Sequence, residues 1–85
     1  MEVLTTRPFD ADYHALPEHI QALTRRKLKV FAENPRHPSL RTKKMAGQRD
    51  IWEARVTSSY RFTFQWAGNT VLLRRIGTHD ILKRP

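Results

Sequence analysis

Cysteine is absent from this chain of 85 residues, which excludes disulfides and thiolate zinc sites and suits a reducing cytoplasm. Long apolar runs are absent too. The opening Met1-Glu2-Val3-Leu4-Thr5-Thr6-Arg7 contains none, so we expect neither a signal peptide nor a membrane span, and hence a soluble cytoplasmic protein. His14, His19 and His37 are scattered without ligand spacing, so we expect no metal and no other cofactor. Repeats, low-complexity tracts and linkers are missing as well. The chain therefore reads as one domain over residues 1–85, able to bury a single modest core.

Acidic residues are in short supply. Eight Asp and Glu stand against sixteen Lys and Arg, for a net charge of +8 and a pI near 10.9. That surplus on so small a domain creates a field that attracts polyanions, although a merely solubilising basic surface is the plainer account. Arginine outnumbers lysine, which favours planar, bidentate contact with phosphate. The cations spread along the whole chain, unlike those of a membrane-surface helix.

Periodicity predicts the elements. Residues 2–6 are β-prone and stop at Arg7-Pro8, and Pro8 suits the first turn of a short helix through Phe9 and Tyr13. Leu16-Pro17-Glu18 starts a second helix that runs to Glu33 and ends at Asn34-Pro35. Leu16, Ile20, Leu23, Leu28, Val30 and Phe31 share one broad side of it, with Lys27 a misfit inside that stripe. From residue 40 the period becomes two. Strands are expected at 40–46, 51–57, 60–66 and 70–76, separated by turn residues at 47–50, 57–59 and 68–69. The resulting class is α+β in the order β-α-α-β-β-β-β. Two N-terminal helices pack on one face of a mainly antiparallel sheet.

Alternation assigns the faces. Tyr60, Phe62, Phe64 and Trp66 point one way, towards the helices, with Trp52, Ala54 and Val56 of the preceding strand. Glu53, Arg55 and Arg61 point the other way. An open face lined by guanidinium groups is a suitable dock for a phosphate backbone. Trp52 and Trp66 could stack on bases, but their alternation favours the core.

Blocks of the sequence carry a family look. They are Leu16-Pro17-Glu18-His19-Ile20-Gln21, Glu33-Asn34-Pro35, His37-Pro38-Ser39-Leu40 and Lys43-Lys44-Met45-Ala46-Gly47. Ile51-Trp52-Glu53-Ala54-Arg55-Val56, Ser59-Tyr60-Arg61-Phe62-Thr63-Phe64 and Arg75-Ile76-Gly77-Thr78-His79-Asp80-Ile81-Leu82 follow. In this order the set resembles the RelE/ParE superfamily of type II toxin–antitoxin toxins over nearly the whole chain. Its ending looks more like the RNA-cleaving, RelE-like branch than the gyrase-poisoning one. The resemblance implies an mRNA endonuclease that inhibits translation in the ribosomal A site without a metal. It also implies a cognate antitoxin partner, and we expect the free toxin to be a monomer.

Cleavage of that kind needs a base, an acid and cations to hold charge on the phosphate. His79, just past the last strand, is the candidate acid, because imidazole exchanges a proton near neutrality. The family's RNA-cleaving members carry histidine or arginine there, although a strand-end surface histidine is the commoner thing. Arg61 matches the arginine of the family's Tyr-Arg strand motif, which contacts the scissile phosphate. Arg55, on the same face, is a second clamp. Glu53 is the candidate base, or else half of a cross-strand ion pair. Arg41, Lys43 and Lys44 form a basic approach that binds the RNA backbone. The aromatic residue that several RNA-cleaving members carry beyond the His/Arg position has no counterpart in Asp80-Ile81-Leu82-Lys83-Arg84-Pro85. Two other readings therefore stand beside the nuclease: a ParE-like gyrase inhibitor, and a non-catalytic RNA- or ribosome-binding module of the same fold.

Overall fold

Thr6 turns the chain from strand into helix. In the computed structural model, which describes residues 1–85, β1 (Glu2–Thr5) ends beside it and α1 (Arg7–His14) begins. The Thr6 hydroxyl accepts from the Phe9 amide at 3.4 Å, capping a helix with Pro8 in its first turn. It also donates to the Leu73 carbonyl at 2.9 Å, which ties this corner to the last strand.

α2 (Glu18–Glu33) starts at Pro17 without a side-chain cap, so the charge of Glu18 is what complements its N-terminus. It stops at Asn34, whose Oδ1 accepts from the Arg36 amide at 3.1 Å and turns the chain through Pro35. The expected apolar stripe is present. Ile20 and Phe31 are buried, and Leu16, Leu23, Leu28 and Val30 pack against the core. Thr24 joins them fully buried, because its hydroxyl donates to the Ile20 carbonyl at 2.8 Å and needs no water. Lys27, the misfit, is half-buried. Tyr13 links the helices, its carbonyl accepting from Gln21 at 2.9 Å and its hydroxyl from Arg25 at 2.6 Å.

The sheet has the order β1-β5-β4-β3-β2, with β2 at Lys43–Lys44, β3 at Trp52–Arg55, β4 at Arg61–Ala67 and β5 at Thr70–Gly77. Neighbours are antiparallel except β1 and β5, which run parallel. Alternation holds through the core, but Trp66, expected there with Trp52, is left exposed at the end of its strand. Ala54, Phe62, Phe64, Val71, Leu73 and Ile76 are buried together under Phe9 of α1 and Phe31 of α2. Phe31 meets Phe62 and Phe64 edge-on at 5.3 and 4.8 Å, and each such ring contributes roughly 1.5–3 kcal/mol by burial.

Two expectations need correction. The strand expected at 40–46 shrinks to the two residues of β2. Pro38–Leu40 form a 3-10 turn that drives Leu40 fully into the core. Arg41 then adopts a left-handed backbone (φ 47°), which breaks the extended run. The sheet face expected to be open is also partly covered. A second 3-10 turn, His79–Lys83, buries Ile81 over Gly77, and the Pro85 carbonyl accepts from Thr63 Oγ1 at 3.1 Å and Arg74 Nε at 3.0 Å.

β5 carries the remaining fixtures. Its register slips between Thr63 and Phe64, making Arg74 an extra residue. Where β1 ends, Asp12 of α1 replaces it at the edge of the sheet. Its carboxylate accepts from the Ile76 amide at 3.1 Å and from the Arg75 guanidinium at 2.6 and 3.1 Å. The hydrogen bond that Arg75 donates to Asp12 raises Arg75 above the ordinary guanidinium range; partial burial opposes this and the charge of Asp12 adds to it. No helix is long and apolar enough to cross a membrane.

Candidate functional site

β3 and β4 set the geometry by register. Arg55 lies directly opposite Arg61, and Glu53 opposite Thr63, while β2 brings Lys43 opposite Glu53. Two arginines facing each other across a ladder repel. Glu53 offsets them: its Oε1 accepts from Arg61 Nη1 at 3.0 Å. The pair is largely withdrawn from water, with side-chain exposures of 9% for Glu53 and 19% for Arg61. Truncating either partner would leave a poorly solvated charge, which is costly in such surroundings.

These side chains line a cavity of about 210 Å³ together with Arg41, which enters from the loop before β2. The loop is held firmly. His37 Nδ1 accepts from the Ser39 amide at 3.1 Å, and Thr42 Oγ1 donates to the Pro35 carbonyl at 2.9 Å. The left-handed backbone of Arg41 costs about 1 kcal/mol or more, which the buried Leu40 beside it offsets. The cavity thus presents Arg41, Lys43, Arg55 and Arg61 around one carboxylate, and only Arg61 has an acidic partner. Such a set can hold a dianionic phosphate by several charge-assisted hydrogen bonds.

Five of the seven residues singled out from the sequence are therefore neighbours: Arg41, Lys43, Glu53, Arg55 and Arg61. Lys44 is not among them. Alternation turns it to the other side of β2, where it sits 3.9 Å from Asp50, and both are well exposed. His79 is the first residue of the C-terminal 3-10 turn, exposed and without a hydrogen bond, and it lines no cavity. It lies two residues beyond Gly77, the cross-strand partner of Arg61, and so at the same end of the sheet. Sequence reasoning missed the docking of the C-terminal segment on Thr63 and Arg74. Pattern gives no sign of it, because the contacts run through a main-chain carbonyl. It also missed a second, larger cavity next to Arg41, formed by the loop after α2 and both tryptophans.

Layering and strand order are shared with solved toxins of the YoeB/ParE, YafQ and RelE kinds, so the chain has their fold. No family model and no curated protein sequence matches the chain. Solved structures do. A YoeB/ParE toxin from Agrobacterium tumefaciens superposes with a TM-score of 0.76 at 15% identity, covering 93% of this chain and 99% of that one. The RelB–RelE antitoxin–toxin complex from Methanococcus jannaschii gives 0.76 at 19% identity, covering 95% of each. YafQ from Escherichia coli gives 0.77 at 12%, covering 95% and 96%. At these identities the likeness is one of fold.

Proposed function

We propose that this chain is the toxin of a type II toxin–antitoxin system and acts as a metal-independent, ribosome-dependent mRNA endonuclease. The observation that carries the reading is the cluster of Arg41, Lys43, Arg55 and Arg61 around the buried carboxylate of Glu53. The toxin fold and the net charge of +8 support it. In this reading the 2′-hydroxyl oxygen attacks the adjacent phosphorus and the bond to the 5′-oxygen breaks. The products are a 2′,3′-cyclic phosphate and a 5′-hydroxyl. Glu53 takes the proton from the 2′-hydroxyl and His79 gives one to the departing oxygen. Arg61 and Arg55 hold the charge that builds on the phosphate.

The Glu53–Arg61 pair explains how a paired carboxylate becomes a base. An incoming phosphate competes for the Arg61 guanidinium and frees the Glu53 carboxylate oxygen to meet the 2′-hydroxyl. Arg41 and Lys43 steer and hold the backbone on either side, with Lys44 adding charge from outside the cavity. Neutralisation falls to a cognate antitoxin that covers this basic face; the Methanococcus jannaschii neighbour was solved as an antitoxin–toxin complex.

His79→Ala and Arg61→Ala should each relieve the growth arrest caused by inducing the chain, with circular dichroism showing both folded, His79→Ala melting like the parent and Arg61→Ala somewhat lower. Arrest undiminished in both variants would overturn the assignment. One observation favours a second reading. His79 stands outside the phosphate cavity, as it would in a module that binds RNA or the ribosome and blocks it without cutting. A gyrase inhibitor would instead produce filamentous cells with damaged DNA.

A further inference from the structure

The chain has two tryptophans, and both line one cavity of about 470 Å³ that the nuclease reading leaves unused. Trp52 of β3 and Trp66 of β4 form its floor, and the loop carrying Arg36, His37 and Pro38 forms its wall. Trp66 is 42% exposed, unusual for a large ring on the face that the helices cover. It touches Phe64 only in a T-shaped contact at 6.2 Å. Trp52 stacks near-parallel on Phe64 at 6.4 Å, which holds the floor rigid.

The polar groups here are nearly all donors. The guanidinium groups of Arg36 and Arg41 have no side-chain partner, neither indole N–H is hydrogen-bonded, and no carboxylate lines the wall. His37 accepts from Ser39 at Nδ1, so in the neutral ring the proton sits on Nε2, a further donor. The complementary ligand is flat, rich in acceptors and anionic. Arg41 lines this cavity and the phosphate cavity alike, so one guanidinium bridges the two.

We propose that the Trp52–Trp66 cavity is a nucleobase subsite. It takes a base of an RNA strand whose backbone runs on past Arg41 to the Arg41–Arg61 cavity. The base stacks on the exposed Trp66 ring, and Arg36 and Arg41 hold the phosphates beside it, the combination by which proteins grip single-stranded nucleic acid. The inference rests on the reading above in taking RNA as the polyanion, but not on cleavage.

Because both tryptophans line the cavity, intrinsic fluorescence reports on this place alone. The whole chain is titrated with a single-stranded 2′-O-methyl hexanucleotide, which cannot be cut, and with an abasic oligonucleotide of equal length and charge. The base-bearing strand should quench the emission and bind about tenfold more tightly than the abasic one. Trp66→Ala should remove that advantage, Trp66→Phe should restore part of it, and Arg61→Ala should weaken both ligands equally. Equal binding and equal quenching by the two strands would overturn the proposal, as would Trp66→Ala binding like the parent. Emission indifferent to RNA but shifted by the antitoxin would also overturn it and give the cavity to a protein partner. A chain that passes this test yet cleaves no mRNA would sink the nuclease reading alone.

Discussion

Glu53 is the residue on which the candidate site turns. Glu53→Gln keeps an acceptor for Arg61 but removes the charge that offsets Arg55 and Arg61, which face each other across β3 and β4. We expect a loss of about 1–3 kcal/mol in urea unfolding. Combined with Arg61→Ala, it should lose clearly less than the sum of the two single changes, since each removes the same interaction. Strictly additive losses would mean that the pair contributes nothing. Alternation alone was enough to bring Glu53, Arg55 and Arg61 to one face, because in a strand a two-residue spacing is a spatial statement. The depth of Glu53 was not legible. It sits opposite Lys43 of β2 and shares its cavity with Arg41, which comes from a loop whose path depends on a left-handed backbone. Lys43 and Lys44 look alike in the sequence, and only the register of β2 against β3 separates them.

At the scale of elements, the helices and the three long strands were legible because each has a clear period and sharp stops at Pro35, Gly68 and Asn69. The stretch 40–46 was misread. Its residues can extend, but burying Leu40 wins and a 3-10 turn results. The parallel partner of β1 was also out of reach, since pairing between residues 2–5 and 70–73 depends on how the helices fold back. Asp12 locks that return. Arg75→Ala should lower stability by about 1–2 kcal/mol, as a partly exposed bidentate pair warrants. Arg75 is raised in the folded state. Its contribution is therefore present in full below the ordinary range of a free guanidinium and lost only above it. The loss should thus be the same at about pH 6 and pH 9 in parallel denaturant titrations. The C-terminal turn offers a separate test. A Cβ on Gly77 would come within 2.9 Å of Ile81 Cγ2, so Gly77→Ala should displace the turn that carries His79. Toxicity should fall while RNA affinity holds, a split that a pure binding module would not show.

For the whole molecule, topology gathers part of the charge of +8 into one cavity. The sheet order places the short β2 at one edge, so Lys43, and Arg41 from the loop before it, join the face that Arg55 and Arg61 occupy. The affinity for single-stranded RNA should fall with salt at a slope of about −3 in log–log form, as four to five phosphate contacts imply. Arg55→Ala should reduce that slope by about 0.7, and Lys44→Ala, which lies outside the cavity, by less. Anisotropy titrations at several salt concentrations measure both. The central claim is that this cationic cavity cleaves mRNA during translation. The most direct measurement is to map the 5′ ends of cellular transcripts before and after induction, beside an Arg61→Ala control. New ends inside translated frames, absent from the control, are the expected result. Growth arrest with mRNA intact would contradict it and leave Glu53 and His79 without their chemical roles.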